Sequence, residues 1–324
     1  MKQHVWDLTN KFTNVMANRI QVTDDEDWLR RKHKTLGGTD KAILAGISKW
    51  NTPVGLFYEK TNEFKMDEDK WNITMERGKY LEPLVVDIYK RTYGSVTSVW
   101  HNTNNDLFIH PNYSYMSCTP DGLSLDESLP DVEVLECKSA AGKGSVKWYS
   151  GIPEMYLVQL HSNIDVMNLN YGCLAWIVDD IPGTIRVEKD KELCDAMNYM
   201  AERFWNDNVL ANIPPDPQTV DDYKKIYRNA VPQSVLQCTE ALYETINEYL
   251  LIKEMIKDYK SQTSMLESRE QDLCSLIRKG MKENESLEYR HEVIATLKLS
   301  KNGVRRLNIN SKIINSFKEN NHDS

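Results

Sequence analysis

The chain has 324 residues, 40% hydrophobic and 27% charged, with a formal net charge of −8, a composition that suits a soluble globular protein with a sizeable core. No run approaches the roughly 18 apolar residues of a membrane span, and residues 1–10 lack the basic-then-apolar layout of a signal peptide, so a cytoplasmic protein with no membrane partner is expected. Six cysteines (Cys118, Cys137, Cys173, Cys194, Cys238 and Cys274) are scattered without a Cys-x-x-Cys pair, which argues against zinc, iron–sulfur and disulfide frameworks and for buried free thiols.

In chain order, an acidic run ending at Asp27, Trp28-Leu29 and the cluster Arg30-Arg31-Lys32-His33-Lys34 suggest a leading helix. Gly37-Gly38-Thr39-Asp40 then opens a second helix, with Thr39 or Asp40 as its cap; a helix start after two glycines also suits an anion. Trp50-to-Pro53 starts a third helix, and Glu63-to-Lys70 reads as a surface loop. A longer helix is predicted over roughly Met75 to Tyr93, where Leu81, Leu84, Val85, Ile88 and Tyr89 recur at helical spacing and Gly94 stops it. Glu82 stands beside that apolar stripe, where an acid needs solvent, a base or a metal.

From Val96 to Cys118 the pattern is strand-like, in three pieces at Ser98-to-His101, Phe108-to-His110 and Tyr115-to-Ser117, forming an antiparallel run into a Pro120-Asp121-Gly122 turn. Asp131 to Lys138 alternates as a strand, placing Glu136 and Lys138 on one face and Leu135 and Cys137 on the other. A loop with Lys143 and Lys147 leads to a helix from Glu154 to Ile164, started by Pro153, on which Gln159 and Asn163 lie one turn apart. A strand at Tyr171-to-Val178, its hairpin partner Thr184-to-Val187 and a helix over Lys191 to Trp205 complete a mixed sheet flanked by helices. Pro214-Pro215-Asp216-Pro217 marks a boundary. Beyond it a long heptad-like helix runs from about Cys238 to Arg278, then a hairpin with strands at His291-to-Ser300 and Val304-to-Asn308 turning at Asn302-Gly303, and a fraying end.

Asp121, Glu136 and Lys138 carry the chemistry. Carboxylates are hard oxygen ligands for Mg²⁺ or Mn²⁺, and a neighbouring lysine can orient or deprotonate an attacking water and stabilise charge on a phosphate. Alternatively Asp121 is a turn residue and Glu136 with Lys138 a solvent-facing pair. Any basic footprint for nucleic acid must be local, at residues 30–34 or at Lys143, Lys147, Lys224, Lys225 and Arg228.

Taken as an ordered set, Gly37-Gly38-Thr39-Asp40, Glu82, Thr119-Pro120-Asp121-Gly122, Glu136-Cys137-Lys138 and Gln159 resemble the lambda-type phage exonucleases, in the YqaJ-type viral recombinase branch of the PD-(D/E)XK nucleases. The resemblance spans roughly residues 30 to 180. It implies an α/β (α+β) restriction-endonuclease-like core over residues 1–213, with 214–324 as a helical extension ending in a β-hairpin, for oligomerisation or partner docking. It implies Asp121, Glu136 and the Cys137 carbonyl as ligands for Mg²⁺ (Mn²⁺ substituting), Glu82 completing the site through water, Lys138 as catalytic lysine and Gln159 as its support. Gly38, Thr39 and Asp40, with Arg31, Lys32 or Lys34, would grip a terminal phosphate. The implied activity is 5′→3′ digestion of linear double-stranded DNA to 5′-phosphates, leaving 3′ tails for a single-strand annealing protein. A closed trimeric or tetrameric ring in a phage or prophage setting is implied as well. The alternatives are a structure-selective or site-specific endonuclease on the same fold and an inactive DNA-binding recombination scaffold.

Overall fold

A computed structural model describes residue 15 and residues 18–63, 72–93, 97–126, 132–300 and 303–310. The chain forms two compact units, Met1–Ala230 and Val231–Ser324. The division falls after the short helix Val220–Ile226, which is fastened to the first unit because Thr52 Oγ1 donates to the buried Asp222 Oδ1 at 2.5 Å. Residues 214–230 thus lie in the same unit as the sheet.

The first unit is built on a five-stranded mixed sheet of order β2-β5-β6-β7-β8. Its strands are β2 (Thr97–His101), β5 (Gly122–Asp126), β6 (Val132–Ala140), β7 (Tyr171–Val178) and β8 (Ile181–Glu188). β6 pairs parallel with β7, and the other neighbours are antiparallel. β6 is central and buried through its first six residues, consistent with a strand covered on both faces. Helix α4 (Ile73–Tyr93) covers one face: Val85, Val86 and Tyr89 pack on Leu135, Cys137, Cys173 and Ala175. Helix α5 (Glu154–Val166) covers the other, with Leu160 and Ile164 against Val134 and Leu174. The period-2 alternation of β6 therefore sends its odd and even residues to different helices. This is the mixed α/β (α+β) arrangement, a central sheet flanked by helices, that the sequence implied.

The antiparallel run expected between Ser98 and Ser117 is divided between two sheets. β2 joins the main sheet, whereas β3 (Leu107–Ile109) and β4 (Ser117–Cys118) pair with β1 (Arg19–Ile20) in a separate one. The piece expected at Tyr115-to-Ser117 starts later because the chain there is tied to Leu36: the Leu36 amide donates to Tyr115 O at 2.7 Å and the Ser117 amide to Leu36 O at 2.9 Å. Three earlier helices sit around this junction, α1 (Asp25–His33), α2 (Gly38–Leu44) and α3 (Pro53–Thr61). Asp24 caps α1 through the Asp27 amide at 2.8 Å and Thr52 caps α3 through the Gly55 amide at 3.0 Å, each arrangement contributing about 1 kcal/mol. The helix expected over Lys191 to Trp205 is α6 (Lys191–Arg203) and continues as a π-helical segment, Phe204–Leu210, while the loop at 142–148 is a 3₁₀ helix. Val220–Ile226 is α7.

The second unit contains the 42-residue helix α8 (Glu240–Met281) and a three-stranded antiparallel sheet of β9 (Ser286–Tyr289), β10 (Glu292–Leu299) and β11 (Arg305–Ile309). β9 extends the expected hairpin. The Asn302 half of its turn, most of the Glu63-to-Lys70 loop, the stop at Gly94 and the fraying end lie outside the described residues. Among the described cysteines Cys118, Cys137, Cys173 and Cys194 are buried, but Cys238 is exposed and Cys274 half-buried. No helix among the described residues is long and apolar enough to cross a membrane.

Candidate active site

Asp121 immediately precedes β5, whose first residue, Gly122, pairs with Leu135 on β6. That register puts the aspartate beside Glu136. Gly122 permits it, since a Cβ there would lie 2.6 Å from the Trp100 carbonyl oxygen on β2. The Cys137 amide donates to Asp121 Oδ2 at 2.6 Å, fixing the carboxylate against the strand that bears Glu136. Burial, reinforced by the Glu136 charge, pushes the Asp121 carboxyl well above its ordinary range.

Glu136 is 1% exposed, and three side chains converge on it. Lys138 Nζ and Gln159 Nε2 both donate to Oε1, the latter at 2.5 Å, while Asn163 Nδ2 donates to Oε2 at 2.9 Å. Gln159 and Asn163 come from successive turns of α5, so one helix face supplies an amide to each carboxylate oxygen. Gln159 was expected to support the lysine or water, and its hydrogen bond goes instead to Glu136. Asn163 was not expected in the site; its one-turn spacing from Gln159 was the available signal. Burial alone would lower the Lys138 pKa, but Glu136 and Asp121 outweigh it and hold the ammonium above its ordinary value. The ammonium also lies 5.3 Å from the Tyr156 ring centroid.

Glu82 reaches the same place from α4. With Asp121, Cys137, Lys138 and Tyr156 it lines a cavity of about 430 Å³. Glu82 Oε1 lies 2.8 Å from His101 Nε2 at the end of β2, a histidine the sequence placed only within a strand. Among the described residues no three His, Cys, Asp or Glu side chains are grouped to hold a metal ion. The donors nonetheless fit a hard cation: the half-buried Asp121 carboxylate lies beside the buried Glu136 and is destabilised by its charge, a repulsion that a divalent ion relieves. Such an ion would take Asp121, Glu136 and the Cys137 carbonyl, with Glu82 reached through water.

The segment expected to grip phosphate lies against this centre. Trp28 Nε1 donates to Thr119 Oγ1 at 3.0 Å, and Thr35 Oγ1 is 2.7 Å from Ser117 Oγ, tying α1 and its exit to the turn that carries Asp121. Gly38 is a close-approach position: a Cβ there would lie 2.9 Å from the Gln159 Cα and 3.0 Å from its carbonyl oxygen. Its contact is with α5, not with an open binding surface. Asp40 is likewise buried, accepting from the Gly37 amide at 2.9 Å and pairing with Lys60 at 3.0 Å, so it caps α2 and balances a buried cation. Arg31 is bonded to Asp27 at 2.9 Å. Lys32 lies 4.7 Å from the Trp28 ring centroid, and burial lowers its pKa against the opposing pull of Asp40, while Thr39 and Lys34 are exposed.

A buried network holds α2 to α5 and α6. Lys41 Nζ donates to Asn198 Oδ1 at 2.8 Å, and Asn198 Nδ2 donates to Asp165 Oδ2 at 2.7 Å. Asp165 also meets Lys189 at 2.6 Å and His110 at 3.4 Å. Burial would raise its carboxyl, but these bonds hold it well below the ordinary carboxylate range.

Residues 27–170 match the YqaJ-like viral recombinase domain family, in agreement with the resemblance read from the ordered motifs. YqaJ of Bacillus subtilis (strain 168) is 29% identical over 271 residues, covering 81% of this chain and 82% of its own. Similar solved structures include an alkaline exonuclease from Laribacter hongkongensis, with 18% identity and a TM-score of 0.45 over 58% of this chain and 94% of that one. A phage-related exonuclease from Haemophilus somnus 129PT has 12% identity and a TM-score of 0.36 over 60% and 97%.

Proposed function

We propose that this YqaJ-like chain is a metal-dependent deoxyribonuclease that digests linear double-stranded DNA from its 5′ ends, releasing 5′-phosphates and leaving 3′ single-stranded tails for a strand-annealing partner. The observation that supports it best is the convergence of Lys138, Gln159 and Asn163 on the buried Glu136, beside Asp121 and the cavity that Glu82 also lines. A protein with no chemistry to perform has little reason to bury Glu136 beside a second acid, since a buried charge costs several kcal/mol.

A bound Mg²⁺, with Mn²⁺ as substitute, would lower the pKa of an attacking water and neutralise charge on the phosphate and the leaving 3′-oxygen. Lys138, held beside the site by Glu136, would orient or deprotonate the attacking water and stabilise negative charge growing on the phosphate oxygens. Gln159 and Asn163 keep Glu136 in one orientation, and the Cys137 amide does the same for Asp121. Glu82, less buried and bonded to His101, acts at the solvent side of the cavity. Thr39, with Lys32 or Lys34, is the part of the phosphate-gripping segment suited to meet the DNA end. The 5′→3′ direction, the ring and the annealing partner follow from the family resemblance.

End-labelled linear duplex, with and without a 5′-phosphate, followed over time with added Mg²⁺, tests this reading. Preferential release from phosphorylated 5′ ends is expected, with closed circular duplex left intact. Cutting of the closed circle would move the assignment to an endonuclease.

A further inference from the structure

Strand β2 runs out in His101-Asn102, and each of these residues reaches an acid of the centre. Asn102 is 3% exposed, and every polar group it has is bonded. Its side-chain amide donates to Pro120 O and to Asp106 O, both at 2.9 Å, and its side-chain oxygen accepts from the Asp106 amide at 2.8 Å. Its backbone amide donates to Asp121 O at 2.9 Å. Asp106 is anchored in turn, accepting from Arg19 Nε at 2.7 Å and from the Val22 amide at 3.0 Å. The end of β2 is thus locked to the turn that carries Asp121, through buried bonds that are costly to leave unmade.

His101 takes its place from that lock. It pairs across the sheet with Gly122 of β5, which has no side chain to compete for the space, and its Nε2 lies 2.8 Å from Glu82 Oε1 on α4. A carboxylate only accepts, so the imidazole proton sits on Nε2. The two side chains are 19% and 31% exposed, a setting in which such a pair adds little to folding stability. Its consequence is geometric. With Oε1 committed to the ring, Oε2 is left to the cavity that Glu82 lines, at a fixed place relative to Asp121 although the two acids come from different elements.

We propose that His101 is the positioning residue for Glu82, and that the Asn102 lock sets the pair in register with Asp121. The proposal rests on the metal-dependent reading of the centre. Glu82 would reach the cation through water, and a carboxylate free to turn about its side-chain bonds would reach it less often.

Calorimetric titration of the full chain with Mg²⁺, without DNA, reads this apart from activity. His101→Phe keeps a ring but loses the donor, and is expected to bind Mg²⁺ roughly 10-fold more weakly. His101→Gln, whose amide can donate in place of Nε2, is expected to recover most of that loss, with the thermal transition of both variants close to wild type. In a Glu82→Ala background His101→Phe is expected to add nothing, because it acts through Glu82. A wild type that takes up no Mg²⁺, or a Glu82→Ala variant that binds as wild type does, overturns the reading of the centre and the proposal with it. If Glu82→Ala weakens binding and His101→Phe does not, or if His101→Phe weakens it equally in both backgrounds, the centre stands and the proposal alone is overturned.

Discussion

Two regions of the first unit each bring several charged groups together, and they treat them differently. Around Glu136, a lysine and two amides from β6 and α5 converge on one buried carboxylate beside a second, so the cluster's unsatisfied demand is for positive charge. Around α1 and α2, the cations have local partners: Arg30 has Glu26, Arg31 has Asp27 and Lys60 has Asp40. The sequence made the second region look like a basic patch, yet the structure leaves Arg30, Lys34 and Thr39 facing solvent there, with Arg30 paired to Glu26. A charge cluster thus announces a site only where its groups are buried and left needing a further ion. A run of basic residues on a helix with acids one turn away is often a folded helix stabilising itself.

Four substitutions would break or sharpen that contrast. Lys138→Ala removes the charge proposed to face the phosphate and is expected to lower kcat about 10³-fold in a linear-duplex assay, and to lower thermal stability as well, because the buried Glu136 loses its ionic partner. Activity at the wild-type level would remove Lys138 from the centre. Asp165→Asn, in the network that holds α2 to α5, is expected to cost about 3 kcal/mol of stability, read by denaturant unfolding near neutral pH. The sign follows from its lowered pKa: the stabilisation is present above the ordinary carboxylate value near 3.8 and is lost as pH falls toward the folded value. Wild type and variant should therefore converge in stability in strong acid; a gap persisting there would show that the ionised carboxylate is not its source.

Asn163→Leu leaves Glu136 Oε2 without its amide donor and is expected to lower metal affinity or activity roughly 10- to 100-fold. Calorimetric titration with Mg²⁺ separates this from simple loss of folding, and wild-type binding would make Asn163 a packing residue only. Lys34→Ala tests the exposed side of the second region: binding to duplex ends should weaken about equally for all sequences, with the salt slope reduced by about 1. An unchanged slope would move phosphate contact elsewhere, to Lys32 or beyond the α1–α2 segment.

The strand bearing Glu136 and Lys138 was legible because alternation is a local property, and the same holds for β7, α4 and α5, whose periodicities survive in the structure. Asp121 was joined to Glu136 by the ordered motifs of the resemblance; the strand Gly122–Asp126 that sets it there was not read from the sequence, which showed only a turn. What stayed illegible depends on distant partners. Gly38 read as a phosphate glycine because nothing local says that Gln159 will press against it. Asp40 read as a ligand or cap because Lys60 enters only through packing of α3 on α2. His101 looked like any strand residue until β2 aligned with β5 and α4 brought Glu82 to it. Asn163 was visible as a neighbour of Gln159, but that its target would be Oε2 of Glu136 required the crossing of α5 over β6.

The parallel pairing of β6 with β7 has a consequence in time. Strand β6 is synthesised before its covering helix α5 and before its neighbour β7, and the amides that hold Glu136 follow it by 23 and 27 residues. A nascent chain that has extruded Lys138 but not Gln159 leaves Glu136 with Lys138 as its only side-chain partner from the cluster. Parallel strands joined through a helix also form late, because the loop must close before the pairing rewards it. The amide-held form of Glu136 can therefore assemble only after α5 has emerged and docked on β6.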